Sequence, residues 1–383
     1  MCGVQRPTGK QRERLGTGRS RAHQTGTNRT GYGYIYEKIC DIDNIRTAII
    51  KASTRKKKRR NVQRVLANLD KCAEHIQKLL IEQTYEPADY KEFSIFDGAT
   101  KKERVIYRPQ FFPDQCIHWA LILQIEPLLM KGMYKFSCGS IPGRGVIYGQ
   151  KYMKKWITKD RKNTKYYLKL DIRKFYPSID NEMLKGTFRA KIKDTKTLWL
   201  IDKIIDSHPD AGVPIGNYTS QWFANFFLQG LDHFIKENLG VKYYMRYMDD
   251  MVLFGCNKKK LHKVRVAISE YLKPMGLELK GNWQLSRVDE RAVDFLGFRF
   301  FRHKIILRKR NALRIRRRIK KVWKKQSPTY SDAAAVMSYL GWLKHSDSYN
   351  YYQKYVKPYV NIKCLKEVIR NEIKKQCHAG CCL

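Results

Sequence analysis

Hydrophobic residues fall along the chain in two alternating rhythms, one helical and one strand-like, and polar stretches mark where one gives way to the other. Residues 1–35 carry neither rhythm. They are rich in Gly, Thr, Arg and Gln with almost no large aliphatics, so they cannot bury enough surface to offset the entropy of ordering and read as a disordered basic arm. From 41 to 84 the spacing is helical. Ile45, Ile49 and Ile50 precede the run Arg55-Lys56-Lys57-Lys58-Arg59-Arg60, and Val65, Leu66, Leu69, Ile76, Leu79 and Leu80 follow it, which predicts two helices separated by a basic connection. Tyr90 to Tyr107 is strand-like and is broken by Asp97-Gly98, a hairpin turn. Pro113-Asp114 then opens a helix with Ile117, Ala120, Leu121 and Leu128 on one side.

Further along, Tyr166-Tyr167-Leu168-Lys169-Leu170 reads as a strand that finishes on Asp171. Pro177-Ser178-Ile179-Asp180 starts a helix that ends before the apolar segment Leu198 to Ile205. A loop dense in turn formers, Gly212 to Gln221, runs into Trp222 to Leu228, a buried helix. Two apolar-aromatic runs, Tyr243 to Met245 and Met251 to Phe254, are joined through Tyr247-Met248-Asp249-Asp250 and predict a hairpin with two acids at its tip. An amphipathic helix over Leu261 to Leu272, a strand pair from Phe295 to Leu307, a helix over 308–325 and further helices to Lys375 complete an α+β pattern.

Charge changes this picture. The 383 residues hold 77 Lys and Arg against 35 Asp and Glu, a formal net charge of +42. Such a surplus favours a polyanionic partner, because neutralised phosphates release condensed counterions. Aromatics at 12% supply stacking surfaces beside the basic ones. Cys40, Cys72, Cys116, Cys138, Cys256 and Cys364 stand singly in periodic segments and read as small buried hydrophobes in a reducing compartment. Cys377, His378, Cys381 and Cys382 crowd the end, but their spacing matches no common zinc pattern and reads as a frayed tail. No segment approaches a membrane span and no apolar stretch follows the N-terminal charges, so a cytoplasmic protein without membrane contact is expected.

A basic protein that only bound RNA would have no reason to cluster acids, yet Asp249 and Asp250 sit side by side between apolar runs. Burying two unneutralised carboxylates would cost several kcal/mol, and the remedies are a cationic side chain, a raised pKa or a divalent cation. Asp171 ends a strand that can lie beside the hairpin and bring a third carboxylate to its tip. Three acids on neighbouring strands make a hard oxygen site. Mg²⁺ suits it, keeping waters and substrate phosphates as remaining ligands, and two such ions can clamp the attacking and leaving oxygens of a phosphoryl transfer. The plainer alternative is that Asp249 and Asp250 are turn residues and Asp171 caps a helix.

The Tyr-x-Asp-Asp hairpin, preceded by the Asp171 strand, resembles the palm of a reverse transcriptase, and the resemblance runs from about Tyr85 to Tyr359. It implies a right hand: N-terminal helices and fingers over 36–160, a palm of antiparallel sheet on helices over 161–307, and a helical thumb over 308–375. The arm 1–35 and a Cys-rich tail 376–383 flank it. The resemblance implies Asp171, Asp249 and Asp250 as catalytic, metal-binding carboxylates with Ile172 as a further metal ligand. It also implies two Mg²⁺, with Mn²⁺ as a substitute, and dNTPs as substrates. Tyr176 would be the aromatic gate against a ribose 2′-hydroxyl. Arg104, beside Lys101 and Lys102, would hold the incoming triphosphate, and Arg144, in Ser140-Ile141-Pro142-Gly143-Arg144-Gly145, would touch triphosphate or nucleic acid, although that stretch could equally be only a turn. Lys280, in the segment Leu277 to Gln284, is a candidate general acid for the leaving pyrophosphate, the ordinary alternative being a surface lysine at a strand end. Phe295 to Leu307 is similar to the primer grip, and Arg314, Arg317, Lys321 and Lys324 would track the phosphates of a cDNA/RNA duplex.

The loop holding Pro214, Ile215, Gly216, Ser220 and Gln221 precedes a helix and could contact the base and sugar of a nucleotide, or be a tight connection without a ligand. Most reverse transcriptases place Gln between that Pro and Gly, and Pro after the Ser. Here Ile215 and Gln221 stand there. The Ser-Gln ending, the apolar residue before Gly216 and the later Ser338-Tyr339-Leu340-Gly341-Trp342 resemble the reverse transcriptases of diversity-generating retroelements. That resemblance implies a retroelement RNA template copied with errors at adenines for mutagenic retrohoming, and a small basic accessory protein as partner. The enzymatic alternative is an antiphage or abortive-infection reverse transcriptase.

Overall fold

The computed structural model describes residues 34–97, 102–325 and 327–380. The basic arm, the hairpin tip with Gly98, and Cys381 and Cys382 lie outside the described residues, as do the side chains of Cys377 and His378.

The chain enters through α1 (Ile35–Cys40) and α2 (Ile42–Ser53), the latter capped by the Asp41 carboxylate, which accepts from the N–H groups of Asp43 and Asn44. After the basic turn, the helical spacing breaks at Asn68 into α3 (Arg60–Ala67) and α4 (Leu69–Ile81), so 41–84 holds three helices rather than the expected two. Asn68 leaves helical geometry while its side-chain amide donates to the Arg64 carbonyl, an alternative that asparagine offers to the helical ladder. Strands β1 (Lys91–Asp97) and β2 (Lys102–Arg108) pair antiparallel with Asp97 opposite Lys102, as the pattern predicts. Helix α5 (Cys116–Met130) starts later than Pro113, after a wide turn over Phe111–Gln115. It is enclosed nearly all round, with Ile122, Ile125 and Leu129 as buried as the one-sided set, because other helices cover its second face.

After α6 (Val146–Lys159) come β3 (Tyr166–Asp171), α7 (Asn181–Arg189), α8 (Thr195–Asp206), α9 (Tyr218–Phe227), α10 (Gln229–His233), β4 (Tyr243–Tyr247), β5 (Asp250–Gly255), α11 (Lys258–Leu272) and β6 (Gln284–Arg287). The helix expected from Pro177 is a short 3₁₀ turn, Tyr176–Ser178, followed by α7. Asp180 caps α7 by accepting from the Met183 N–H, and the apolar segment 198–205 lies inside the separate helix α8. The four strands form an antiparallel sheet in the order β4-β5-β3-β6. Alternate side chains serve two cores: Leu168, Leu170, Tyr244, Met251 and Leu253 pack with the N-terminal helices and α7 to α11. Tyr167, Met245, Val252 and Phe254 pack instead with α6 and the segments that follow β6. Covered on both faces, the sheet offers a ligand only its strand ends.

Those later segments are β7 (Val293–Phe295), β8 (Phe298–Phe300) and β9 (Ile305–Leu307), a three-stranded sheet where the pattern predicts a strand pair. The extra strand arises because Leu296 and Gly297 both have positive φ, 53° and 81°, and reverse the chain in two residues. Helix α12 (Lys309–Trp323) leads into α13 (Tyr330–Lys344), α14 (Tyr349–Tyr355) and α15 (Ile362–Gly380), and α12, α13 and α15 share a small core of Val322, Ala333, Val336 and Leu365. The last helix therefore continues past Lys375 into the expected tail. Helices and three separate antiparallel sheets together make an α+β fold, as the pattern predicts.

The cysteines are only partly the buried set that their spacing predicts: Cys40, Cys116 and Cys138 are buried, Cys72 half-buried, Cys256 and Cys364 exposed. Cys256 lies just past the end of β5 and Cys364 in the first turn of α15, where cover is thinner. Among the described residues no helix is long and apolar enough to cross a membrane.

Candidate active site

Strands β4 and β5 are joined by two residues, Met248 and Asp249, with Tyr247 opposite Asp250. Met248 has φ 55°, a region that favours glycine, so the surroundings must hold it there. Its carbonyl accepts from Arg246 Nη1 at 3.1 Å and its sulfur from Asn225 Nδ2 at 3.4 Å. Gly139 closes the other side: a Cβ there would come within 2.6 Å of the Met248 sulfur.

Arg246 is fully buried beneath this turn. Its guanidinium forms a two-pronged pair with Asp232, Nε to Oδ1 at 2.8 Å and Nη2 to Oδ2 at 2.6 Å, and Nη1 donates to Asn225 Oδ1 at 3.0 Å. Tyr244 donates its hydroxyl to Asp232 at 2.7 Å. Burial works against the guanidinium charge, and Asp232 outweighs it. Asn225, on α9, also donates to the carbonyls of Gly139 and Gln221, so one buried network ties the turn, the loop at 137–139 and the helix after the 212–221 loop. The sequence reading passed over Arg246, Asp232 and Asn225. The available signal was a lone arginine inside an apolar strand.

At the open end of the sheet Asp171 stands opposite Asp250, with Asp249 in the turn between the strands. Here compensation is incomplete. Lys280 Nζ donates to Asp171 Oδ1 at 2.6 Å, while Lys169 Nζ lies 3.6 Å from Asp250 Oδ2 and donates to the Asp294 carbonyl. Asp250 Oδ1 is sealed and without a partner, although the side chain as a whole keeps 29% exposure. Burial, then the Asp171 charge, pushes the Asp249 carboxyl up to about 6. Burial also pushes Asp250 up to about 7, with Asp171 and Asp249 adding to it against the opposing pull of Lys169. Among the described residues no three His, Cys, Asp or Glu side chains form a ready-made cation cage. The donor set still fits a hard divalent cation: oxygen only, one sealed oxygen lacking a partner, and two carboxyls whose raised pKa values an added positive charge would lower. Ile172 is buried beside them, its N–H on the Asp249 carbonyl at 3.3 Å.

The other expected residues divide into those brought to this end and those held elsewhere. Tyr176 is packed so that burial, then the Asp249 charge, raises its hydroxyl pKa, and its carbonyl accepts from Val213 N–H at 3.1 Å. The loop of Pro214, Ile215 and Gly216 is thus anchored at Tyr176 and, through the Ile215 carbonyl, at the Tyr107 N–H of β2 at 2.9 Å. Gly216 has φ 114°, and a Cβ there would meet the Tyr107 carbonyl at 2.8 Å. Ser220 is buried and Gln221 half-buried on the first turn of α9. Arg144 donates to the carbonyls of Tyr134 at 2.6 Å and Ser137 at 3.5 Å, which ties it to its own loop. Arg104 is exposed on β2 opposite Ile95, and Arg314, Arg317, Lys321 and Lys324 are exposed on or just past α12.

Parts of the chain are similar to known proteins. A 130-residue stretch is 31% identical to the retron Ec73 reverse transcriptase of Escherichia coli, covering 31% of this chain and 41% of that one. Another of 174 residues is 28% identical to the group II intron-encoded protein LtrA of Lactococcus lactis, covering 42% of this chain and 28% of that one. The chain thus matches less than half the length of either relative. Among solved structures, apo telomerase from Candida tropicalis aligns over 77% of this chain and 59% of its own at 13% identity, with a TM-score of 0.46. Residues 99–300, just over half of the sequence and including the strand of Asp171 and the hairpin of Asp249 and Asp250, match the family described as Reverse transcriptase (RNA-dependent DNA polymerase), and the chain belongs to that family.

Proposed function

We propose that the protein extends a DNA primer along an RNA template from dNTPs. The observation that carries this reading is the group of carboxylates at the strand ends, two of them held at raised pKa with one oxygen unpartnered. Asp171, Asp249 and Asp250, with the Ile172 carbonyl, would hold two Mg²⁺, for which Mn²⁺ can substitute. When bound, the metals lower the pKa of the primer 3′-hydroxyl and neutralise charge on the transferring phosphate. The chain's own residues orient the rest. Tyr176 presents its ring beside Asp249, where a ribose 2′-hydroxyl would clash. Lys280, already at the edge of the carboxylates, can give a proton to the leaving pyrophosphate. Arg104 supplies charge for the triphosphate. Arg144 acts on substrate through the loop it braces, and the exposed cations of α12 follow the duplex backbone.

The finer reading is error-prone copying of a retroelement RNA at template adenines, with a small basic accessory protein as partner. It is supported by Ile215, whose apolar side chain offers the nascent pair shape but no hydrogen bond. A glutamine restored there could add about 1 kcal/mol of discrimination, a several-fold change in error rate. Mg²⁺-dependent primer extension on one adenine-containing RNA template, with the cDNA sequenced for wild type and Ile215→Gln, tests both levels. Lack of extension by wild type refutes the polymerase reading. Equal error spectra remove Ile215 from selection, and an accurate wild type moves the assignment to the defence-type enzymes.

A further inference from the structure

The thumb holds a cavity of about 410 Å³ lined by residues between 322 and 365, none of them from the palm. Trp323 forms one wall and is 57% exposed, an unusual state for the largest apolar side chain. Tyr359 meets its ring edge-on, with centroids 5.4 Å apart and planes at 80°, so the indole keeps an uncovered face. Pro328 and Pro358 add rigid wall without N–H donors. Three polar side chains join this apolar frame: Lys325, which is paired with Asp332, Lys357, and Asn361, which spends Oδ1 on the N–H groups of Lys363 and Cys364 and leaves its amide NH₂ as a donor.

We propose that this cavity seats an unpaired nucleotide of single-stranded RNA, with the base stacked on Trp323 and its edge read by Asn361. The size lies within the roughly 300–1,000 Å³ of small-molecule sites. Charge selects the occupant: Lys357 stands exposed at the rim and Lys320 and Lys324 are exposed on the neighbouring turns of α12, which suits a phosphate backbone and opposes a cationic peptide. The surface continues as the same chemistry. Arg316 lies 4.7 Å from the Tyr355 ring and Tyr351 packs 5.1 Å from Tyr355, so cations and rings alternate as they do on single-strand platforms. The segment that builds it, Tyr349-Asn350-Tyr351-Tyr352-Gln353-Lys354-Tyr355-Val356-Lys357-Pro358-Tyr359, has this alternation in its sequence. This site lies beyond the polymerase reading, and binding alone tests it whether or not the palm polymerises.

The test measures affinity of the full chain for a 2-aminopurine-labelled single-stranded RNA and for a blunt RNA–DNA hybrid across a salt series. Trp323→Ala should weaken single-strand binding about ten-fold with the salt slope unchanged, since stacking releases no counterions. Lys357→Ala should reduce the slope by about one. Trp323→Phe should keep most of the affinity and Trp323→Leu should not, a comparison that stands even if the alanine variant folds poorly. Wild-type single-strand affinity in Trp323→Ala, an equal loss on the blunt hybrid, or a leucine as good as a phenylalanine would overturn the assignment and leave the cavity to a protein partner.

Discussion

A buried pair of charges anchored at Arg246 and a half-buried pair, Asp249 and Asp250, meet on one hairpin, and they are handled in opposite ways. Arg246 and Asp232 satisfy each other with two short bonds, and Tyr244 and Asn225 take up the remaining donors and acceptors. Asp249 and Asp250 are left with one looser ion pair, Lys169 to Asp250 at 3.6 Å, mutual repulsion and a sealed oxygen without a partner. Compensated charge inside a protein specifies geometry. Uncompensated charge of one sign lowers stability and persists where a ligand will neutralise it. The first group holds the strained turn that carries the second, so the hairpin joins a rigid clamp to an electrostatically incomplete tip.

Removing the incomplete group should have the largest effect. Asp249→Asn or Asp171→Asn is expected to lower Mg²⁺-dependent dNTP incorporation by about 10³-fold or more, roughly 4 kcal/mol, with RNA affinity nearly intact because the basic surface supplies it. Near-wild-type incorporation would show that the two groups of charge do not differ in role. Breaking the complete group should appear in stability instead. Arg246→Met or Asp232→Leu alone should cost about 3–5 kcal/mol in urea unfolding, by stranding a buried charge, and the double variant should cost clearly less than the sum.

A smaller effect separates the groups by pH. The unfolded Asp250 carboxyl ionises near 4 and the folded one at about 7, so between these values the folded state binds more protons than the unfolded state. The contribution of Asp250 to the stability of the metal-free protein then falls as pH rises from about 4 through 7, against the opposite contribution of buried His118, whose pKa burial lowers to about 4. Asp250→Asn should flatten that slope and stabilise the metal-free protein at pH 8 by about 2 kcal/mol, after allowance for partial exposure, and Mg²⁺ should flatten it in wild type. Thermal melts of wild type and Asp250→Asn with and without Mg²⁺ read this as a difference, and a pH dependence that Asp250→Asn leaves unchanged would contradict the uncompensated tip. Smallest of all, Lys169→Met removes the cation that holds Asp250 down. The acidic limb of the rate profile should move to higher pH by about half a unit, and an unmoved limb would mean that Lys169 only anchors the Asp294 carbonyl.

Much of this tip was legible in the sequence because its signals are local. The hairpin follows from two apolar runs separated by five residues, and Asp171 from a strand that ends on an acid. A periodic alternation sets which side chains share a face whatever packs on it. Local chemistry also marked α11 and α12. Helix boundaries in the N-terminal region were not legible, since the break at Asn68 depends on a side-chain bond that competes weakly with the helix. Nor was the third strand after β6, which needs Leu296 to take a positive φ that its own residue type disfavours.

The sequence by itself determined the strands that meet at the tip, the three carboxylates at their ends, the basic helix α12 and membership of a polymerase family, because each rests on residue type and spacing over short intervals. Only the tertiary structure decided which charges are satisfied. It brought Asp232 and Asn225 under Arg246, set Lys280 on Asp171, tied Ile215 to Tyr107 across more than a hundred residues, and left Trp323 facing an open cavity. The reason is physical. Burial and electrostatic compensation depend on distances between groups far apart in the chain, and no local pattern encodes those distances.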